Sequence, residues 1–209
     1  MKHQLDLDNW PRKQHFEFFR KFEEPYFGIT ANVDVTLAFE HSKAAGLTLF
    51  IYYLYQSLGA ANIIEPFRYR IEGDDVVVYD VVHASATINR PNGTFGFAYI
   101  DYDHSIEVFL SGAEREIERI QTTNDLLPST SGQNVIHIST LPWINFTSLS
   151  HARMFSHQES VPKISFGRIT DLDGQKIMPV SIHVHHALMD GLHVGQYLQC
   201  FQDLLNGGL

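Results

Sequence analysis

The chain has 209 residues, of which 44% are apolar, 12% aromatic and 19% charged. This length suits one compact domain, and the apolar content excludes a disordered or fibrous chain because it can form a core. The 24 acidic side chains outnumber the 15 basic ones, so the net charge is -9 with the histidines neutral. An acidic surface repels polyphosphate, which argues against nucleic-acid binding and against docking on an anionic membrane.

Cys200 is the only cysteine. An internal disulfide and a cysteine zinc cluster are therefore excluded, and we expect a reducing, cytoplasmic setting. The N-terminus has no apolar stretch of the length of a signal peptide. The uncharged stretch between Lys43 and Glu65 fails as a membrane span, because polar side chains interrupt it and Gly46 and Gly59 divide it. We predict a buried helix there and no membrane partner.

The first predicted element is a helix that Asn9 caps, with Pro11 in its first turn and phenylalanines at helical spacing at positions 16, 19 and 22. Alternating apolar residues between Ile29 and Val35 then predict a strand. Two more helices are expected, one from about Thr36 and a tyrosine-rich one from about Thr48.

The second part of the chain is typical of a mixed α and β protein. It is predicted to contain two hairpins, an amphipathic helix, a strand, a third hairpin and a final helix, over about residues 68–79, 89–95, 106–120, 135–142, 163–186 and 194–205. Strands interleaved irregularly with helices favour an α+β fold, a two-layer sandwich with a mixed β-sheet. No repeat or linker interrupts the chain, so we expect a single domain over residues 1–209.

Three histidines lie near the end of one predicted strand. His183 and His185 point to the same face of that strand, because successive side chains alternate, and His186 follows where the strand ends. Asp190 and Gly191 then form a turn into the last helix. A polar side chain beside such a turn is well placed to face a cleft.

The residues alone leave three roles open for these histidines. His186 can act as a general base that takes a proton from a hydroxyl and returns it to a leaving group, which is worth about 10²–10⁴-fold in rate. His183 and His185 have a spacing that suits two metal ligands, with a third from His186, His193 or a carboxylate. All of them can also be hydrogen-bonded histidines on a polar sheet face.

Several segments resemble one enzyme family. The stretch from His185 to Gly191 resembles the HHxxxDG motif of the chloramphenicol acetyltransferases and their wider acyltransferase superfamily. Residues 9–19 are similar to the NWxRxxHFEFY opening of the chloramphenicol branch, residues 138–146 to its ISALPWxNF segment, and residues 190–194 to its DGFHV ending. These matches follow in family order, so the resemblance covers nearly the whole chain.

The resemblance implies one coenzyme-A-dependent acetyltransferase domain with a chloramphenicol-acetyltransferase-like fold. Acetyl-CoA is the implied co-substrate, chloramphenicol the implied acceptor and antibiotic resistance the implied role. His186 is the implied general base, and Ser139 the implied donor to the tetrahedral oxyanion. Asp190 is expected to form a buried structural pair with Arg12. The family uses no metal, which implies that His183 and His185 are sheet residues.

The family also implies a homotrimer, in which His186 of one subunit faces an acceptor pocket formed mostly by its neighbour. Phe19, Phe95 and Ser165 align with substrate-binding positions of that pocket, with Phe19 where the family usually has tyrosine. Glu23 lies in a segment that is apolar in the family, so it either favours a polar or cationic acceptor or faces solvent. Two alternatives therefore stay open, which are an O-acetyltransferase with another hydroxylated acceptor and a non-catalytic binding protein of the same fold.

Overall fold

The computed structural model describes residues 1–128, 130, 132–153 and 159–209. Within these ranges the α-helices are Lys13–Phe19 (α1), Thr36–Ala44 (α2), Leu49–Ile63 (α3), Ile106–Thr122 (α4) and Gly191–Gly207 (α5). The strands are Lys2–Gln4 (β1), Tyr26–Asp34 (β2), Tyr69–Glu72 (β3), Asp75–Tyr79 (β4), His83–Asn89 (β5), Phe95–Ile100 (β6), Val135–Thr140 (β7), Lys163–Phe166 (β8), Thr170–Leu172 (β9) and Gln175–His185 (β10). A 3₁₀ helix, Glu65–Arg68, links α3 to β3.

The main sheet has the strand order β2-β10-β8-β7-β5-β6, and β9 also pairs with β10. Strand β7 runs parallel to both β5 and β8, whereas the other pairs are antiparallel. The sheet is therefore mixed, and the predicted α+β fold class is confirmed. Strands β1, β4 and β3 form a second, smaller antiparallel sheet, whose first strand the sequence pattern did not reveal.

One face of the main sheet is apolar and lies in the core. Alternate residues of its inner strands, such as Ile138, Ile164 and Ile182, are at most 2% exposed. Helix α3 is apolar on nearly all sides, which suits its burial within the helical layer. The helix predicted from about Thr48 is thus confirmed, with the Thr48 hydroxyl accepting the Ile51 N–H at its start. No helix in the described part of the chain is long and apolar enough to cross a membrane.

The opposite face of the same sheet is polar. A row of hydroxyl side chains crosses it, because Thr30, Ser181, Ser165 and Ser139 are successive register partners on β2, β10, β8 and β7. On β5 the Thr87 hydroxyl continues the row by donating to Ser139 Oγ at 3.5 Å. Ser139 therefore lies on the polar face and not among the core residues.

The start of the first helix differs from the prediction. Asn9 does not cap it, because its side chain donates to the Asp6 carboxylate at 2.7 Å, and α1 begins four residues later. Residue 12 stands at the N-cap with no side-chain hydrogen bond to the helix. Phe22 lies beyond the end of α1, although its ring still packs on Phe19 with centroids 5.2 Å apart. The predicted turn at Asp171–Gly174 is also narrower, since residues 170–172 form the short strand β9.

Candidate active site

His186 lies where β10 ends, as the sequence pattern predicts. Its backbone N–H donates to Pro25 O at 2.8 Å, which ties the end of β10 to the segment before β2. Its ring is stacked on Phe19, with centroids 3.9 Å apart and planes 10° apart, and the Phe27 ring lies 4.7 Å away. Two aromatic rings therefore hold a half-buried imidazole in place.

The ring nitrogens of His186 differ in their surroundings. Nδ1 lies 3.2 Å from Met189 O, and a carbonyl oxygen can only accept, so Nδ1 carries the proton. The lone pair is then on Nε2, which has no hydrogen-bond partner among the described residues. A neutral imidazole held in this tautomer can accept a proton at Nε2.

Arg12 and Asp190 support the loop that carries His186. The Arg12 guanidinium contacts the Asp190 carboxylate and also donates to His186 O at 3.3 Å. Burial raises the pKa of Asp190, but Arg12 and His193 outweigh this and lower it below its usual value. The pair is not as buried as expected, since the Arg12 side chain is 14% exposed and that of Asp190 35%. The reason is that Asp190 also caps α5 and accepts the Leu192 N–H at 3.0 Å.

Ser139 and Ser165 are neighbours on the polar face of the sheet. They are register partners on β7 and β8, and Ser139 is half-buried whereas Ser165 is fully buried. His151 covers Ser165, with its Nε2 3.5 Å from Ser165 Oγ. Thr87 donates to Ser139 Oγ, and no acceptor for the Ser139 proton lies among the described residues, so this proton can bind an oxyanion.

Within one chain, the structure does not bring His186 and Ser139 together. Ser139 is level with Ser181, two strands away, and His186 lies five residues beyond Ser181. These offsets correspond to about 10 Å across the sheet and about 16 Å along it, or roughly 19 Å in total. A base and an oxyanion donor that act on one intermediate must lie within about 8 Å of each other, the sum of two hydrogen bonds and the reacting bond.

The predicted substrate-binding residues separate in the same way. Phe19 stacks on His186, whereas Phe95 begins β6 at the other end of the sheet, 45% exposed and in contact with Phe97. Phe97 is the register partner of Thr87, which places these phenylalanines on the side of Ser139. The predicted site residues thus fall into two separate groups, the His186 half-site and the Ser139 half-site.

The other two histidines of the motif are buried on the polar face. The His183 ring lies against the backbone of Gly28, where a Cβ would be only 2.3 Å from Nε2. It also meets His151 edge to face, with centroids 4.9 Å apart. His185 packs against Tyr26, and burial lowers the pKa of His185 to about 4, with a further contribution from His186. The described residues contain no group of three or more His, Cys, Asp or Glu side chains that could hold a metal ion.

A cavity of about 680 Å³ lies next to the His186 half-site. Pro25, which binds the His186 N–H, is part of its lining, and so is His185. Its other lining residues are mostly charged and include Glu23, Glu24, Arg153 and Glu159. Glu23 is exposed and borders this cavity. Sequence patterns did not identify Thr87, His151 or Arg153, because none of them lies in a motif.

The mixed-sheet sandwich is the fold of solved acetyltransferases. A solved structure of dihydrolipoamide acetyltransferase from Azotobacter vinelandii shares this fold, with a TM-score of 0.63 and 14% identity over 87% of this chain and 82% of that one. A solved chloramphenicol acetyltransferase is closer in structure, with a TM-score of 0.88 and 32% identity over 98% of this chain and 100% of that one.

Residues 1–202 match the family model for chloramphenicol acetyltransferase, and the chain belongs to that family. Chloramphenicol acetyltransferase 3 of Escherichia coli is 28% identical over 207 residues, which is 98% of this chain and 97% of that protein. The chloramphenicol acetyltransferase of Bacillus pumilus is 29% identical over 204 residues, 97% of this chain and 92% of that protein. The resemblance seen in the motifs is confirmed.

Proposed function

We propose that residues 1–209 form one acetyltransferase domain that moves the acetyl group of acetyl-CoA to a hydroxyl of chloramphenicol. Membership of the family supports acetyl-CoA and chloramphenicol as the substrates, and the tautomer of His186 supports its role as the general base. The observation that carries most weight is the Nδ1 contact with Met189 O, because it leaves the Nε2 lone pair free for a proton. The single cysteine, Cys200, suits a reducing cytoplasm.

The proposed reaction has two steps. His186 Nε2 removes the proton of the acceptor hydroxyl while its oxygen attacks the thioester carbonyl, which gives a tetrahedral oxyanion. The Ser139 hydroxyl donates to that oxyanion. The intermediate then collapses by breaking the carbon–sulfur bond, and the imidazolium returns its proton to the coenzyme A sulfur. The products are the acetyl ester and free coenzyme A, and the histidine is regenerated.

We further propose that the active form is a homotrimer with its sites between subunits. The separation of roughly 19 Å between His186 and Ser139 supports this, since strand spacing fixes it within one chain. A second copy can supply the missing half-site by cyclic symmetry, in which each subunit offers His186 to one neighbour and Ser139 to the other.

Mixing two inactive variants tests the reaction and the assembly together. His186→Ala and Ser139→Ala should each lose about 10²–10³-fold or more in kcat when pure. In mixed trimers made by co-expression, about a quarter of the sites combine an intact His186 with an intact Ser139, so activity returns to about a quarter of the parent value. Mixtures that stay as inactive as the single variants contradict a shared site. A parent enzyme that releases no coenzyme A in the presence of chloramphenicol contradicts the proposed acceptor.

A second acceptor class is favoured by two observations. Phe19 has no hydroxyl to offer an acceptor, and the cavity beside His186 is bordered by Glu23, Glu24 and Arg153. Such a lining suits a more polar hydroxylated acceptor. Turnover of chloramphenicol with a micromolar Michaelis constant would exclude this second candidate, whereas thioester turnover with other alcohols only would support it.

A further inference from the structure

His186 and His193 contact opposite ends of the same peptide bond. The carbonyl oxygen of Met189 lies 3.2 Å from His186 Nδ1. The N–H of Asp190, which belongs to the same peptide group, donates to His193 Nδ1 at 3.1 Å. The Met189–Asp190 peptide therefore joins the two imidazoles in one hydrogen-bonded chain.

The direction of this chain follows from its donors and acceptors. A peptide N–H can only donate, so the His193 Nδ1 that receives it is without a proton. The Asp190 Oδ1 atom is also near, 2.9 Å from His193 Nδ1, and it accepts the Leu192 N–H with one of its two lone pairs. Asp190 Oδ2 contacts Arg12. A protonated Nδ1 could not accept the peptide N–H, whereas an unprotonated Nδ1 accepts it while the carboxylate keeps Leu192 and Arg12 as donors.

We propose that His193 is a positioning residue for the proposed base His186, and this inference rests on the proposed function. By accepting the Asp190 N–H, His193 polarises the Met189 carbonyl, because hydrogen bonds in a chain strengthen one another. The carbonyl then binds His186 Nδ1–H more firmly and stabilises the positive charge that His186 gains during proton transfer. It also keeps the lone pair on Nε2.

The geometry of α5 makes this arrangement rigid. His193 is the third residue of the helix and Asp190 is its N-cap, so their side-chain and backbone groups form a reciprocal capping box. The His193 side chain is only 16% exposed. The base and the helix start are thus held by one set of hydrogen bonds, which means that loss of His193 affects both stability and the orientation of His186.

Two variants of His193 distinguish its role in orienting His186 from its role in stabilising the start of α5. His193→Gln keeps an oxygen that can accept the N-cap N–H, as in an ordinary capping box, whereas His193→Leu has similar bulk but no acceptor. We expect kcat to fall about 10-fold in His193→Leu with both Michaelis constants unchanged, and to stay within about 3-fold of the parent in His193→Gln. Ser105→Ala is the matched control, because it removes the cap of α4 far from the site and should lower stability without changing kcat.

Nitrogen-15 spectra of the histidine rings give a readout that does not depend on turnover. In the parent, His186 should carry its proton on Nδ1 and His193 on Nε2, and in His193→Leu the preference of His186 for Nδ1 should weaken. A proton on His193 Nδ1 in the parent, or an unchanged kcat in His193→Leu, overturns the inference. If the parent shows these tautomers but transfers no acetyl group, the proposed function fails while the hydrogen-bonded chain stands. If His193→Leu does not fold, the parent spectra and His193→Gln decide.

Discussion

The Phe19 ring lies parallel to the His186 imidazole at a centroid distance of 3.9 Å. The two residues are far apart in sequence, and each comes from a segment that resembles a family motif. Stacking restricts rotation of the imidazole about its own side-chain bonds, so the direction of the Nε2 lone pair depends on the aromatic ring beside it. We therefore expect Phe19 to contribute to the proposed site through its ring and without a polar atom.

Phe19→Ala should therefore lower kcat, because the imidazole can then leave the orientation that proton transfer requires. We expect a loss of about 10-fold, with Phe19→Tyr close to the parent, since the tyrosine ring stacks in the same way. Steady-state kinetics with saturating acetyl-CoA measures the effect. Phe39→Ala is the control, an exposed phenylalanine on α2, and an equal loss of kcat there would contradict the stacking argument.

The ion pair between Arg12 and Asp190 should contribute more to the free energy of unfolding than a fully exposed pair, and less than a fully buried one. Arg12→Ala leaves the Asp190 carboxylate without its main partner and also removes the donor to His186 O. A fully buried pair would cost about 3–5 kcal/mol, and the exposure of Asp190 reduces this to about 2 kcal/mol of the free energy of unfolding. Urea unfolding measures it.

Arg12→Lys is the informative companion variant. Lysine keeps the charge but cannot reach both acceptors with a planar fork, so we expect about half of the loss. Equal stability of the parent and Arg12→Ala would show that the ion pair makes no net contribution to the free energy of unfolding.

Stability should fall as the pH is lowered because His185 is buried. Its folded-state pKa of about 4 lies below the ordinary value of 6.5, since burial disfavours the charged ring. As the pH falls, His185 of the unfolded chain therefore binds a proton before His185 of the folded chain does. The contribution of His185 to the free energy of unfolding is thus complete above pH 6.5 and is lost as the pH falls from 6.5 to about 4. The loss is on the order of 3 kcal/mol.

The variant His185→Asn tests this assignment. The asparagine oxygen can replace the Nδ1 atom that accepts the Ala187 N–H at 3.2 Å, but it does not titrate. Unfolding by urea between pH 7 and pH 4.5 should show a shallower decline for this variant. Part of the decline will persist, because burial also lowers the pKa of His151 and His183. An unchanged slope would assign the effect to those two residues.

Local patterns predicted most of the elements, but not the contacts that make the half-sites. The alternation along β10 and the glycine after Asp190 were enough to place His186 at a strand end before a helix. The contact of Arg12 with Asp190 spans 178 positions, and it was expected only through the family resemblance. The separation of His186 and Ser139 depends on strand order and register, which local periodicity does not contain.

The errors in the prediction have the same origin. Asn9 is a good N-cap residue by type, yet a nearby carboxylate at Asp6 binds its side chain and the helix starts later. Strand β1 has only three residues, and all of them are exposed, so it carries no alternating pattern. It exists because it pairs with β4, whose sequence lies more than 70 positions away. Tertiary contacts, which no single segment encodes, decided both cases.

Gly28 should be intolerant of a side chain although it lies on an edge strand. A Cβ there would approach His183 Nε2 to 2.3 Å and Cδ2 to 2.6 Å. The ring cannot move aside easily, because it is 5% exposed and packs against His151 on another side. Gly28→Ala should therefore lower the free energy of unfolding by about 1–3 kcal/mol, even though alanine is ordinarily more favourable than glycine within a strand.

A double-mutant cycle shows whether His183 is the cause. If the clash with the ring is the cost, Gly28→Ala combined with His183→Ala should be more stable than the sum of the two single effects by about 1 kcal/mol or more. Gly195→Ala is the control, because a Cβ there meets nothing within 4 Å, and in the second turn of α5 it should stabilise the chain by about 0.5–1 kcal/mol. Additive effects of Gly28→Ala and His183→Ala in urea unfolding would show that another contact excludes the side chain at position 28.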